Sequence, residues 1–477
     1  MNALATRLAR GWMRIGSEWL PFADAASPEL PLPRLLRLSL FQVSVGLATA
    51  LLIGTLNRVM IVEIGLEAWL VALMVSLPLL FAPFRALVGH RSDHHRSWLG
   101  WKRVPYIWMG SMLQFGGLAI MPFALIILSG DTRGPAIVGE ISAALAFLLV
   151  GAGLQVTQTA GLALATDLAP PATRPRVVAL MYVMLLVGIA GGSLALGAGL
   201  REFSQLRLIQ VIQGAAMLTI VLNVVSLWKQ EPRRTMAELA ADPVVPFLTS
   251  WRSFRSRPGA GRFLVAVALG TAGFSMQEII LEPYGAEILG LTVSGTTLLT
   301  ALLATGSLVA FGIAGRLLTR GSDPLRIAAS GSLVGLFAFS AVVFAAPLES
   351  ALLFRTGTLL IGCGGGLFGV GILAFAMSVD GEGRHGLALG SLGAVQAGAA
   401  GLAIAAGGVL SDIVGTLARE GVLGIALAGT STGYAFTYHF EILLLFGALV
   451  AIGPLVQSGR ETVSLAPRSF GIVGLPG

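Results

Sequence analysis

Twelve runs of mostly apolar residues, each close to the length of one bilayer crossing, account for most of this chain. A helix needs about 20 such residues to span the hydrocarbon core. On that measure the runs cover 38–61, 68–88, 105–128, 137–163, 177–199, 208–228, 263–281, 293–315, 326–346, 351–378, 386–410 and 434–457. The fourth and tenth are long enough to tilt or to project beyond the lipid. Only 12% of the 477 residues are charged, about half the share of a soluble domain. The 62 glycines suit helices that pack backbone to backbone. The expected fold is an all-α integral membrane protein.

The direction of the helices follows from one stretch, Gly89 to Pro105, reading GHRSDHHRSWLGWKRVP. Short basic loops are retained on the cytoplasmic side. With this loop inside, the outer loops keep only Arg133, Arg201, Arg207 and Arg419, and Arg58, Arg85 and Arg355 fall within helices. All the other Lys and Arg residues collect on the inner side, so both termini are expected in the cytoplasm. The net charge of +7 raises nucleic acid as a partner, but basic loops flanking membrane helices face anionic lipid instead. The bilayer is the expected partner, with no nucleic acid.

Five regions emerge. Residues 1–37 form an N-terminal arm. There Leu4, Leu8, Trp12, Ile15 and Trp19 recur at helical spacing opposite Arg7, Arg10 and Arg14, the pattern of an amphipathic helix on the membrane surface. No uninterrupted apolar core precedes a cleavage site, so no signal peptide is expected. Pro28, Pro31 and Pro33 make an extended connector. Six helices over 38–228 and six over 263–457 flank a basic, proline-bearing linker at 229–262, and 458–477 is a cytoplasmic tail. Six plus six around an inner linker points to two pseudo-symmetric halves.

Gly89-x-x-x-Asp93 followed by Gly100, Trp101, Lys102 and Arg103 resembles the loop signature of the major facilitator superfamily, with the spacing after Asp93 stretched. Gly315 to Asp323 is a fainter echo in the second half. In that superfamily such residues latch the two halves, which assigns that role here to Gly89, Asp93, Gly100, Lys102 and Arg103. The runs FQVSVGLATALLIGTLNRVMIVEIG (41–65), WLVALMVSLPLLFAPFRALVGHRSD (69–93), HRSWLGWKRVPYIWMGSMLQFGGLAIMPFAL (95–125) and GLQVTQTAGLALATDLAP (153–170) resemble the PucC/LhaA family. Within it, the length and the N-terminal half are most similar to the LhaA branch. The resemblance implies a protein of photosynthetic membranes that aids insertion of light-harvesting antenna subunits, light-harvesting 1 before light-harvesting 2. It implies antenna polypeptides as partners, the reaction centre and pigment-synthesis enzymes as further ones, and bacteriochlorophyll as a bound or delivered ligand.

Ionisable groups inside membrane helices are expensive and are functional candidates by default. Arg58, Glu140, Glu278, Glu282 and Arg355 all fall toward the periplasmic half, as does Glu441 with His439 near it. The first five are expected to form a polar network closing that side, the alternative being that each snorkels to the headgroups. Glu278 and Glu282, at i, i+4, also have the spacing to share a proton. Gln42, Gln114, Gln155, Gln158 and Gln396 either line a central cavity or hydrogen-bond between helices.

Of the five histidines, His90, His94, His95 and His385 fall in cytoplasmic loops, so His439 is the candidate axial ligand for a pigment magnesium. The glycines around 362–366 and 386–408 could admit a flat macrocycle or serve close packing. No cofactor is expected to be needed for folding. Cys363 has no partner for a disulfide or metal site, and no phosphate loop or metal-spaced Cys/His set appears. No enzymatic activity is expected. The competing reading is a proton-coupled solute transporter, with a pigment enzyme behind it.

Overall fold

The computed structural model describes residues 25–27, 30–80, 101–130, 135–170, 173–232, 259–379 and 385–458. The regular elements there are all helical. In chain order, the long helices are α1 (Leu32–Glu63), α2 (Ala68–Leu80), α3 (Val104–Leu128), α4 (Ala136–Leu168), α5 (Arg174–Gly199), α6 (Gln205–Leu227), α7 (Ala260–Glu287), α8 (Val293–Thr319), α9 (Pro324–Ala345), α10 (Ala351–Val379), α11 (His385–Arg419) and α12 (Thr432–Ser458). Among the described residues, eleven are long and apolar enough to cross a membrane, and α2 is a shorter apolar helix. The ends of α1, α3, α5, α7, α9 and α11 share one face, here called the far face. The ends of the even-numbered helices define the opposite, linker face.

Among the described residues, three boundaries extend well beyond the sequence expectation. α1 begins at Leu32 and not near 38, because Pro31 is an extended N-cap and Pro33 falls in the first turn, where a missing N–H breaks no helical bond. α11 runs on from 410 to Arg419. Its Asp412 carboxylate accepts the backbone N–H of Trp69 at 2.6 Å, so this polar turn is held by the tip of α2. α7 reaches Glu287 with Pro283 inside it, and its regular pattern is interrupted at Met276 between Ala260–Ser275 and Gln277–Glu287.

Local sequence sets the helix starts on both faces. Ser204 accepts the N–H of Arg207, Thr292 that of Gly295, and Asp323 that of Leu325. Such caps satisfy main-chain donors that the first turn leaves open. At the linker face Glu231 does the same from a distance. Its carboxylate accepts the N–H groups of Lys102, Arg103 and Val104 at 2.7–3.0 Å, capping α3 from beyond the end of α6. The neighbouring Gln230 exchanges hydrogen bonds with Arg34 at the start of α1.

Glycines bring the helices together within each half. A Cβ on Gly306 would lie 2.0 Å from the Leu359 carbonyl oxygen, and one on Gly362 would lie 2.0 Å from that of Leu303, so α8 and α10 touch through their backbones. The pairs α3/α4 and α9/α10 pack alike, through Gly110 and Gly153 in one half and Gly331 and Gly364 in the other, a trace of the repeat. Between the halves, Gly408 of α11 rests on Ala68 and Ala72 of α2, and Gly197 of α5 faces Ser294 of α8. Both contacts are at the far face. α1 is the most deeply buried of the spans.

Candidate functional site

The crossing of α1 and α7 is the polar centre of the bundle. In a regular helix the carbonyl of Ile279 would accept from residue 283, but Pro283 has no N–H to give. Asn57 of α1 replaces it: its fully buried side-chain amide donates to the carbonyls of Ile279 and Glu278, each at 3.0 Å. Asn57 reaches α7 from between two π-helical stretches of α1, Ala50–Leu56 and Val59–Glu63. Such wide turns inside α-helices recur at functional sites.

Around this bond the far face is closed by polar groups from both halves. Arg58 is 5% exposed and ion-pairs with Glu63 one turn on. Glu282, 2% exposed, accepts from the Thr300 hydroxyl at 2.5 Å and lies against the Cα of Gly54, where a Cβ would come within 2.9 Å of its Oε1. The charge of Arg58 acts on the Glu282 carboxylate across the interface. Thr55 and Thr297 share a hydrogen bond at 3.4 Å. Of the expected network, Arg58 and Glu282 therefore come together at this crossing, and Glu278 takes part only through its main-chain carbonyl, which accepts from Asn57.

Glu140 and Arg355 do not join them. Neither forms an ion pair among the described residues. α4 packs on α1, α2, α3 and α5, and α10 on α7, α8, α9 and α11, so each residue stays inside its own half. The expectation took a shared place in the periplasmic half for proximity. Glu278 and Glu282 also have separate surroundings: Glu282 faces Thr300, while Glu278 acts electrostatically on Glu441 of α12.

Glu441 was left outside the expected network, yet it is the more deeply enclosed carboxyl. It is fully buried, and its Oε1 accepts the backbone N–H of Gln277 at 2.5 Å, where α7 is interrupted. Its other oxygen has no hydrogen-bond partner, nor do the buried Tyr438 hydroxyl and the Gln277 side-chain carbonyl. Tyr284, Tyr434 and Tyr438 pack edge-on beside it, with centroids 5.4 and 5.7 Å from Tyr284. Tyr434 donates to Glu287 at 2.8 Å.

Of the expected latch, Gly89, Asp93 and Gly100 lie outside the described residues. Arg103 pairs with Asp167 at the end of α4 at 3.0 Å, and its main chain and that of Lys102 are held by Glu231. These bonds tie α3, α4 and α6 of one half together.

A cleft of about 220 Å³ separates the halves at mid-depth, lined by Tyr182, Leu185, Leu186, Ser307, Phe311, Gly365, Gly366 and Gly369. The five glutamines are not among these residues, so the cavity-lining expectation is not met for this cleft. Gln114 braces α3 to α4 through Thr157 at 2.9 Å. Gln42 is fully buried with neither amide atom partnered, and the Gln155 side-chain oxygen is buried and unpartnered. Gln158 is engaged by a neighbour, and Gln396 is half-buried on α11.

His439 is exposed on the outside of α12, and its Nδ1 lies 2.7 Å from the Ala435 carbonyl oxygen. That bond assigns the proton to Nδ1 and leaves the Nε2 lone pair free, the tautomer a metal ligand needs. Exposed Phe436, Phe440 and Leu443 surround it. No group of three or more metal-ligating side chains occurs among the described residues.

The model of the family described as PUCC protein matches residues 55–460. Protein PucC of Rhodovulum sulfidophilum is 53% identical over 420 residues, covering 87% of this chain and 92% of the relative. Protein PucC of Cereibacter sphaeroides is 49% identical over 456 residues, covering 95% and 98%. Among solved structures, a bacterial homolog of the human lysosomal transporter Spinster superposes with a TM-score of 0.66 at 15% identity, over 91% of this chain and 98% of that one. At that identity the likeness is one of fold, and the bundle has the major facilitator fold.

Proposed function

The chain belongs to the PUCC protein family, and from that premise we propose that it is an assembly factor for a bacterial light-harvesting complex. It would aid insertion of antenna polypeptides, those of light-harvesting 1 before light-harvesting 2, and pass bacteriochlorophyll to them without catalysing a reaction. Reaction-centre subunits and pigment-synthesis enzymes would be neighbours in that task. The family match over residues 55–460 carries this reading. The family match supports a location in the bacterial inner, photosynthetic membrane, and the skew of Lys and Arg to the linker face supports cytoplasmic termini.

The architecture agrees in two respects. The cleft between the halves is mostly apolar and smaller than the roughly 300–1,000 Å³ of a drug-sized ligand pocket, so it is not built around a large hydrophilic solute. A whole tetrapyrrole fits better on the outer surface of α12. There His439 would hold the pigment through the free Nε2, while Phe436, Phe440 and Leu443 cover its apolar face. Bound there, the pigment would supply light absorption and a magnesium to coordinate. The residues would offer one imidazole nitrogen and an apolar, lipid-side seat.

Deleting the protein from a photosynthetic host and restoring it tests this. Loss of the light-harvesting 1 absorption band on deletion, recovered with the wild-type chain, is expected. Full antenna levels without the protein would sink the proposal. A second reading, a proton-coupled solute transporter, draws on the membrane-buried Glu282 and the shared fold. It requires substrate-dependent proton uptake into vesicles that is lost in Glu282→Gln.

A further inference from the structure

α6 packs on α1 and α3 and buries Leu208, Ile212, Ala216, Thr219 and Asn223. Its opposite side looks out of the bundle. There Leu206, Gln210, Gln213, Gly214, Met217 and Val221 are all exposed, and helical spacing lines them up as a single stripe. A stripe turned to lipid should be apolar throughout, because lipid tails offer neither donor nor acceptor. Two amides interrupt this one.

Both amides lie within the membrane. At 1.5 Å per residue α6 is about 34 Å long, little more than the roughly 30 Å of the hydrocarbon core. Measured from Gln205, its first residue at the far face, Gln210 is about 7.5 Å and Gln213 about 12 Å along the axis. Lys and Arg reach the headgroups from such depths on long stems; glutamine is shorter, and Gln213 is out of range. Neither amide has a hydrogen-bond partner among the described residues. The exposed Thr305 and His439 differ, because each bonds a carbonyl of its own helix, Ala301 and Ala435 respectively, at 2.7 Å.

An amide carries both donors and an acceptor, so its complement is another hydrogen-bonding side chain. In a bilayer such a group arrives on a second helix, and Ser, Thr, Asn, Gln and His side chains bond membrane helices together where small residues let them approach. Gly214 allows that approach: a Cβ built on it meets nothing within 4 Å. The polar strip is also only one helix wide. On neighbouring α3 the exposed mid-span side chains are Trp108, Met109, Ile120 and Phe123, all apolar. That shape suits a single helix laid along α6 better than the broad face of a second bundle.

We propose that the outer face of α6 is a docking site for one membrane-spanning helix of another protein. Gln210 and Gln213 hold it through hydrogen bonds to an Asn, Gln, Ser, Thr or His in the far-face third of that helix. The inference comes from α6 alone and does not rest on the proposed function.

Energy transfer in lipid vesicles tests it. The full-length protein, with Cys363→Ser as background, carries a donor dye on Glu202→Cys, just before α6, and is titrated with acceptor-labelled poly-leucine spanning peptides. A peptide with one Asn a third of the way along should bind about three- to tenfold more tightly than the all-leucine peptide, the range that one membrane hydrogen bond confers. Gln210→Leu combined with Gln213→Leu should abolish that preference while leaving thermal unfolding unchanged, since neither side chain touches the interior. Phe337→Leu, on the exposed side of α9, should leave the preference intact. Equal binding of the two peptides, a preference that survives in the double variant, or energy transfer between copies of the protein that depends on both glutamines would each overturn the proposal.

Discussion

Asn57 gives the carbonyl of Ile279 the donor that Pro283, four residues further along α7, cannot supply. One amide side chain thus mends a helix in the opposite half, and the mend doubles as a bond between the halves. Asn57→Ala should leave that carbonyl buried and unpaired, at a cost of about 1–3 kcal/mol, seen as a lowered unfolding temperature in mild detergent. In a Pro283→Ala background the helix regains its own N–H, so the same substitution should cost clearly less. Equal losses in both backgrounds would show that the bond is incidental.

The arrangement at α4 and α10 predicts an absence of coupling. Glu140→Gln and Arg355→Met should change stability and assembly activity independently, their combined effect matching the sum to within about 0.5 kcal/mol. A double variant markedly milder than that sum would place the two side chains in contact.

Backbone contact between α8 and α10 makes Gly306 and Gly362 intolerant of even one methyl group. Each Ala substitution would bring a Cβ within 2.0 Å of a carbonyl oxygen, and relieving such overpacking typically costs about 1–3 kcal/mol. Gly312, with nothing within 4 Å of its added Cβ, is the control. Membrane accumulation should fall for Gly306→Ala and Gly362→Ala and stay level for Gly312→Ala.

At the linker face, Glu231 caps α3 with three N–H bonds, so Glu231→Ala should destabilise by about 1–2 kcal/mol. Glu231→Gln, which keeps an acceptor but loses the charge, should fall between. Proteolysis of the N-terminal half in membranes would report the order.

The large features were legible because lipid leaves few choices. Runs of twenty apolar residues must be helices, a basic segment between two sets of six divides the halves, and the resemblance in 41–125 pointed to the family that the comparisons show. Arg58 and Glu282 were also found, since a charge at membrane depth announces itself. What the pattern of one strand of sequence does not carry is which helix faces which. Glu140 and Arg355 were placed in one network because both fall toward the periplasmic half, but α4 and α10 belong to different halves and pack within them. Asn57 was missed although a signal existed: Pro283 leaves the Ile279 carbonyl in need of a donor. The interruption at Met276 had no such mark, because Ser275 to Gln277 contains neither proline nor glycine, and only the arrival of Glu441 from α12 explains it.

The measurement closest to the central claim is the near-infrared absorption of the tagged protein, drawn gently from a photosynthetic membrane, with its co-purifying chains identified by mass spectrometry. The proposed role predicts bacteriochlorophyll absorption together with antenna polypeptides, and a pigment signal that drops in His439→Leu while the bundle stays folded. A colourless protein without antenna partners, from membranes whose antenna forms normally in its absence, would contradict it.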